Sequence, residues 1–223
     1  CTHCQYVASF WNSNRVYNEQ ENTKLHEINI RLVYGLRSIG KGLVAGSILC
    51  GVLNLPRPPA KIAKYDRYIG SCVEDIAQES MKEALEEAIE ETENNEQREL
   101  TVALDGSWQK RGHVSLNGIV TATSGDASKV IDVVILSKHC RCPNKTKNEH
   151  QQNCEANYSG SSGGMEVEGV KQIFSRSLPL YNAKYINYLG DGDSKRFSAV
   201  EELKPYGENV KIKKLECVGH IQK

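Results

Sequence analysis

The sequence predicts an α/β chain of the α+β kind, in which a mixed five-stranded sheet with flanking helices is preceded by a helical region. Three observations carry this expectation. Between His26 and Arg98 apolar residues recur at three- and four-residue steps, the period of helices. After Arg98 the period drops to 2, the period of strands. Beyond Ser137 helix-like and strand-like runs alternate, which adds parallel strands to a sheet begun by a meander.

Residues 1–25 are polar and lack a clear period, and Cys1-x-x-Cys4, with His3 between, reads as the end of a zinc ribbon that starts upstream. Ile28, Leu32, Val33, Leu36 and Ile39 then mark a first helix, which Gly40 and Gly42 punctuate. Leu43 to Leu53 makes a second short apolar helix, stopped by Pro56, Pro58 and Pro59. The pair reads as a plain helical hairpin or as a helix-turn-helix, and no basic recognition face favours the second. From Tyr65 to about Asn94, the residues Ile69, Val73, Ile76, Met81, Leu85 and Ile89 line one side of a longer amphipathic helix, with glutamates opposite.

Leu100 to Asp105 reads as a buried strand ending in an acid. His113 to Thr123 and Lys129 to Ser137 follow as strands of an antiparallel meander around the turn Ser124-Gly125-Asp126. Residues 138–164 form a polar insertion containing cysteines and glycines, and Val167, Val170, Ile173, Phe174 and Leu178 mark the next helix. Tyr185 to Gly190 is a fourth strand ending at Asp191-Gly192-Asp193, Lys195 to Leu203 a helix, and Val210 to Cys217 a fifth strand. The order β-β-β-α-β-α-β is that of the RNase H-like fold, in which the first strand lies beside the fourth. The expected divisions are therefore 1–25, 26–98 and 99–223, with the insertion 138–164 inside the last.

Composition narrows the class. With 223 residues, 39% hydrophobic and 25% charged, the chain is outside the ranges of disordered, collagen-like and coiled-coil sequences. No apolar run reaches the roughly 18–20 residues of a membrane span; the best candidate, Gly42 to Leu55, is interrupted by glycines, Ser47, Cys50 and Asn54. No signal peptide is evident, and a start at Cys1 with a finish in mid-pattern at Lys223 reads as a piece cut at both ends. The 28 basic and 28 acidic side chains cancel only in sum: residues 1–73 carry +5, residues 74–99 carry −9 and residues 100–223 carry +4. One acidic block thus offsets two mildly basic regions, so a nucleic-acid partner stays open. The eight cysteines cluster with histidines or sit in apolar helical patterns, which fits a reducing compartment with thiols for packing and metal.

Asp105 and the Asp191/Asp193 pair are the sharpest chemical signal. Acids at the ends of two apolar strands that lie side by side form a carboxylate cluster suited to divalent metal. Two such ions, about 3.5–4 Å apart, activate a water or a 3′-hydroxyl and stabilise the leaving oxygen of a phosphodiester. The competing reading is that Asp105-Gly and Asp191-Gly192-Asp193 are ordinary turns. Cys217-x-x-His220 at the end of the fifth strand is half of a four-ligand set and gains meaning only from its place. In the insertion, Cys140, Cys142, His150 and Cys154 have the donors of a Cys₃His zinc site, with His139 as a substitute ligand and solvated thiols or a redox pair as the alternatives. Ser159-Gly-Ser-Ser-Gly-Gly164 precedes a helix as a phosphate-cradling loop would, but without a Lys-Ser/Thr ending it reads better as a flexible connector.

Four motifs in one order carry a resemblance: Asp105-Gly-Ser-Trp-Gln-Lys-Arg-Gly-His113, Ser162-Gly-Gly-Met-Glu166, Tyr188-Leu-Gly-Asp-Gly-Asp-Ser-Lys195 and Glu216-Cys-Val-Gly-His-Ile-Gln-Lys223. With Gly35-Leu-Arg-Ser-Ile-Gly-Lys41 and Leu53-Asn-Leu-Pro56 upstream, the chain from about His26 onward resembles the Mutator-like transposase domain. The resemblance implies a cut-and-paste DNA transposase of the DDE type, with two aspartates and a glutamate holding Mg²⁺ or Mn²⁺ on an RNase H-like core. Asp105 matches the first acid. Asp191, spaced like the family's second acid from Ala199-Val200, is preferred to Asp193, and Cys217 and His220 match the C-x-x-H element that follows. The third acid has no counterpart before Lys223, so this stretch carries two acids of three. The resemblance further implies transposon ends and target DNA as partners, a homo-oligomer and a nuclear location. Trp108, Lys110 and Arg111 stand where they would contact that DNA, although a Trp at this point also suits packing under a sheet edge. The alternative is a domesticated or decayed derivative that binds DNA or protein without catalysis.

Overall fold

A computed structural model describes residues 3–8, 13–19, 22–92, 95–110, 115–125, 127–140, 142, 154–190 and 194–216. The chain forms two compact units, Cys1–Gln78 and Glu79–Lys223.

The first unit opens with a hairpin of β1 (Arg15–Asn18) and β2 (Thr23–His26), antiparallel with Arg15 opposite His26. Helices α1 (Glu27–Ser38) and α2 (Leu43–Val52) follow, and α3 (Ile62–Glu90) begins in this unit. The turn after α1 needs a residue at positive φ, and Gly40 supplies it at +68° while Lys41 N–H closes onto the Leu36 carbonyl at 2.7 Å. Leu25, Val33 and Tyr65 make a small core, and Arg37 grips both carboxylate oxygens of Asp66 at 2.7 and 2.5 Å, tying α1 to the start of α3.

In the second unit β3 (Glu99–Trp108), β4 (Asn117–Ser124) and β5 (Val130–Ser137) form an antiparallel meander. Helix α4 (Ser162–Tyr181), β6 (Lys184–Gly190), α5 (Ser194–Leu203) and β7 (Lys213–Glu216) complete it. The sheet order is β5-β4-β3-β6-β7, with β6 parallel to both β3 and β7. Parallel neighbours need long crossovers, and α4 and α5 provide them. The predicted mixed five-stranded sheet and the expected adjacency of first and fourth strands are both present.

The pattern of burial explains the layering. Leu100, Val102 and Leu104 turn one face of β3 into a core shared with Ala84, Leu85, Ala88 and Ile89 of α3, Val170, Ile173 and Phe174 of α4, and Tyr185 and Tyr188 of β6. Phe174 meets Tyr185 edge-on, with ring centroids 5.8 Å apart. Asp132 is 1% exposed yet charged, and Arg176 answers it through two nitrogens while also donating to the Val133 carbonyl. Arg98 joins three pieces, with Glu86 on α3 at 2.9 and 2.7 Å and the Tyr181 and Asn182 carbonyls at the end of α4, both at 3.0 Å. A cation there also complements the negative end of the helix.

Several boundaries differ from expectation: α3 runs Ile62–Glu90, β4 starts at Asn117 and β7 at Lys213. β3 continues three residues past Asp105, so neither a strand end nor an Asp-Gly turn falls there. Helix α4 starts at Ser162 because Ser161 caps it, its hydroxyl accepting from Gly164 N–H at 3.1 Å; residues 162–164 are helix, not connector. The β1–β2 hairpin occupies a stretch read as irregular.

Candidate functional site

Asp105 lies inside β3, opposite Thr121 of β4, on the face away from the core. Its side chain is exposed, and among the described residues nothing hydrogen-bonds or ion-pairs with its carboxylate. Its place along the sheet is set by β6. The last β3–β6 pair is Ala103 with Leu189, and β6 ends at Gly190, which also pairs with Glu216 of β7. Asp105 is two residues past Ala103, and Asp191 is two residues past Leu189 in the sequence. Asp191, Asp193, Arg111, His150, Cys217 and His220 lie outside the described residues.

The opposite side of the same stretch of β3 receives the start of α4, which the start of α5 meets in turn. A Cβ on Gly106 would stand 2.8 Å from the Glu166 carboxyl carbon, so only glycine lets Glu166 of α4 come so close to the strand. Glu166 pairs with Arg196 in the first turn of α5, and the side chains are 14% and 7% exposed respectively. Trp108 is half-buried; its indole N–H donates to the Ser162 carbonyl at 3.1 Å and so fastens the start of α4 to the end of β3. Lys110 is exposed just beyond.

The thiols gather beyond Ser137, the last residue of β5, at the same end of the sheet as Trp108. Asn157 and Tyr158 N–H both donate to the Ser137 carbonyl, at 2.9 and 3.1 Å, and the Asn157 side chain accepts from Ser137 N–H at 2.7 Å and donates to the Ile135 carbonyl at 2.8 Å. This docking along the strand brings Cys154 back to Cys140 and Cys142, whose sulfurs all lie within 4.8 Å of one another. The Cys140 and Cys154 sulfurs are 3.7 Å apart. That is far beyond the roughly 2.05 Å of a disulfide. It matches the roughly 3.8 Å between two sulfurs on a tetrahedral zinc with Zn–S of about 2.3 Å. Cys142 N–H points at Cys140 sulfur at 3.3 Å and Ala156 N–H at Cys154 sulfur at 3.5 Å, the kind of donors that orient metal-bound thiolates. The Ala156 N–H pulls the Cys154 pKa down, but burial and the Cys142 and Cys140 thiols outweigh it and hold the thiol above its usual range. His139 instead faces Glu155, with 3.5 Å between Nδ1 and the carboxylate, and is not a member of the thiol group.

The family model of Mutator-like transposase matches residues 1–223. The chain belongs to the Mutator-like transposases. No curated protein and no solved structure matches it. In this Mutator-like transposase the family match takes in residues 1–25 as well, beyond the stretch from His26 that the motifs carried. Sequence alone assigns no role to the Glu166–Arg196 pair. The signal available was Gly106 directly after Asp105, but a glycine there reads equally as a turn.

Proposed function

We propose that this chain is the catalytic core of a DNA transposase on an RNase H-like sheet, which cleaves phosphodiesters at transposon ends and joins them to target DNA. The observation that carries the reading is the register of β3 and β6: parallel neighbours whose pairing stops two residues before Asp105 in one strand and, in sequence, two before Asp191 in the next. Asp105 and Asp191 are the residues to hold Mg²⁺ or Mn²⁺, with Asp193 as the alternative second acid. Asp105 suits the role because hard cations select carboxylate oxygen and its carboxylate is exposed and committed to no other described group. When bound, the ions supply Lewis-acid stabilisation of the scissile phosphate and of the leaving oxygen.

The protein's own part is placement. Pairing with β4 continues through Asp105 while β6 pairs up to Ala103, and this holds the strand that carries the carboxylate in place for the incoming phosphate. Trp108, Lys110 and Arg111 follow at the same end of the strand as DNA contacts, and Cys217-x-x-His220 follows β7. Cys140, Cys142 and Cys154 would hold a structural zinc, with His150 as fourth ligand. The intact protein acts in the nucleus as a homo-oligomer on its transposon ends.

The test is Mg²⁺- or Mn²⁺-dependent cleavage and strand transfer by the product of the complete open reading frame, on a labelled terminal repeat. Asp105→Asn lowers both by more than about a hundredfold, since even outer-shell partners of a metal are worth about 10–100-fold. Cleavage unaffected by Asp105→Asn removes Asp105 from the mechanism. DNA binding without cleavage in the parent protein supports the non-catalytic derivative instead.

A further inference from the structure

We propose that the outer face of α2 is a surface on which a second copy of this chain docks, helix against helix about a twofold axis. The proposal rests on the homo-oligomer of the reading above and names its contact, but it needs neither metal nor catalysis. Helix α2 carries no charged side chain, and a helix apolar on every side is normally a buried one. Here one side alone is buried: Gly46 and Cys50 face inward, and a Cβ on Gly46 would stand 2.6 Å from Leu36 Cδ1 and 3.3 Å from Pro58 Cγ. Val44, Ile48 and Val52, four residues apart on the opposite side, are 63–78% exposed, and Leu49, Leu53 and Leu55 beside them 45–56%. At about 100 Å² apiece these six side chains make on the order of 600 Å² of open apolar surface. That equals the largest patches of soluble monomers, which are commonly functional.

The shape of this face suits a copy of itself. Val44, Ile48 and Val52 form a ridge along an i, i+4 row, and Ser47 and Gly51 form the low row next to it, where a Cβ on Gly51 would meet nothing within 4 Å. Val44, Ser47, Ile48, Gly51 and Leu55 line one groove, which Arg57 borders. A twofold axis lays the ridge of each α2 into the low row of the other, the packing of i±4 rows that crosses helices at about −50°. Because α2 is uncharged along its length, that contact brings no like charges of the two helices together. Two such faces bury about 1,200 Å², the lower limit of a stable interface, so the expected dimer is weak, with Kd on the order of micromolar. The other common route to self-association, edge-to-edge growth of the sheet, is obstructed at both edges. On β5, Val133 N–H donates to the Asp132 carboxylate at 2.8 Å, the Val133 carbonyl accepts from Arg176 at 2.6 Å, and the Asn157 side chain occupies the Ile135 carbonyl and Ser137 N–H. The opposite edge strand, β7, has four residues and opens with Lys213-Lys214, features that discourage strand addition.

The experiment is sedimentation velocity of the full chain without DNA, over about 1–100 µM, a range that brackets a micromolar Kd. Two variants are run beside the parent. Ile48→Lys with Val52→Lys charges the ridge at positions already open to water. Gly51→Gln fills the low row, and it leaves the fold intact because its Cβ meets open space and glutamine suits a helix better than glycine. An unchanged cooperative melt checks the folding of each, and either one alone suffices for the test should the other not fold. The expected result is a concentration-dependent dimer in the parent and a Kd higher by about tenfold or more in each folded variant. Variants that dimerise within about twofold of the parent overturn the α2 surface while the homo-oligomer stands. Weakening by the two lysines but not by Gly51→Gln overturns the ridge-into-groove packing. A parent that stays monomeric throughout overturns the α2 dimer and the homo-oligomer together and leaves the face to a partner of another kind. The metal reading is judged separately, by cleavage with Asp105→Asn.

Discussion

Tyr185 is fully buried, and its hydroxyl has no hydrogen-bond partner among the described residues. Burial first, then the charge of Asp132 and the neighbouring Tyr206 and Tyr181, push its phenol well above the usual range. In the unfolded chain the same phenol loses its proton near pH 10. Above that pH the folded state therefore holds the proton that the unfolded state has released, and stability falls as pH rises. Tyr185→Phe removes this contribution to the alkaline loss and, by relieving a stranded buried hydroxyl, stabilises the protein near pH 7 by about 1 kcal/mol. Urea unfolding of both proteins at pH 7 and about pH 10.5 checks it; parallel losses in the two would contradict the assignment. Tyr206 is different, since its hydroxyl accepts from Tyr185 N–H at 2.9 Å and shares a 2.7 Å bond with Ser177. At this scale the sequence exposed what carries its own signature. Asp105 was legible because an acid beside an apolar run is conspicuous, and Cys140, Cys142 and Cys154 because thiols cluster. The Glu166–Arg196 contact was not, because its partners lie on different helices and follow no common period.

Helix α4 lies so close to β4 that a Cβ on Gly169 would stand 2.5 and 2.8 Å from Val120 Cγ2 and Cβ. Gly169→Ala sets two effects against each other. Helix propensity favours alanine by about 1 kcal/mol. Overpacking costs about 1–3 kcal/mol, and a branched side chain on a central strand has little room to yield. The net expectation is destabilisation by up to about 2 kcal/mol, read as a lower urea midpoint with unchanged slope; a raised midpoint would mean that α4 shifts freely on the sheet. Elements with a long period were legible, including α3 and the sheet with β3 and β6 as neighbours. The rest escaped for identifiable reasons. β3 runs on through Gly106, Ser107 and Trp108, where no apolar alternation continues. The start of α4 was hidden because Ser161 and the glycines after it have the composition of a linker, although one serine hydroxyl caps the helix. Strands β1 and β2 have four residues each, too few to establish a period of 2.

At the scale of the molecule, the charge pattern and the thiol cluster have separate consequences. Most of the −9 block falls on α3, where Glu79, Glu83, Glu86, Glu87 and Glu90 line one surface, and Lys129 and Arg98 neutralise Glu87 and Glu86. The three thiols bind the stretch after β5 to the approach of α4, so metal there stabilises the second unit as a whole. Zinc is expected at about one per chain by elemental analysis; Cys140→Ser with Cys154→Ser abolishes it, and a strong chelator lowers the melting temperature of the parent but not of that variant. Equal zinc content in the two would dismiss the site. No helix among the described residues is long and apolar enough to cross a membrane. The sheet order carries one further consequence, for how the chain is made. β3, β4 and β5 are contiguous between Glu99 and Ser137 and pair through local contacts, whereas β6 begins only at Lys184. Local pairings form early, and chains fold from the N-terminus as they are synthesised. A nascent chain halted before Lys184 therefore displays β3 as an open edge, ready to recruit a foreign strand. The strand that closes this edge is β6, so a chain made as far as Gly190 is also one able to bury its most adhesive surface.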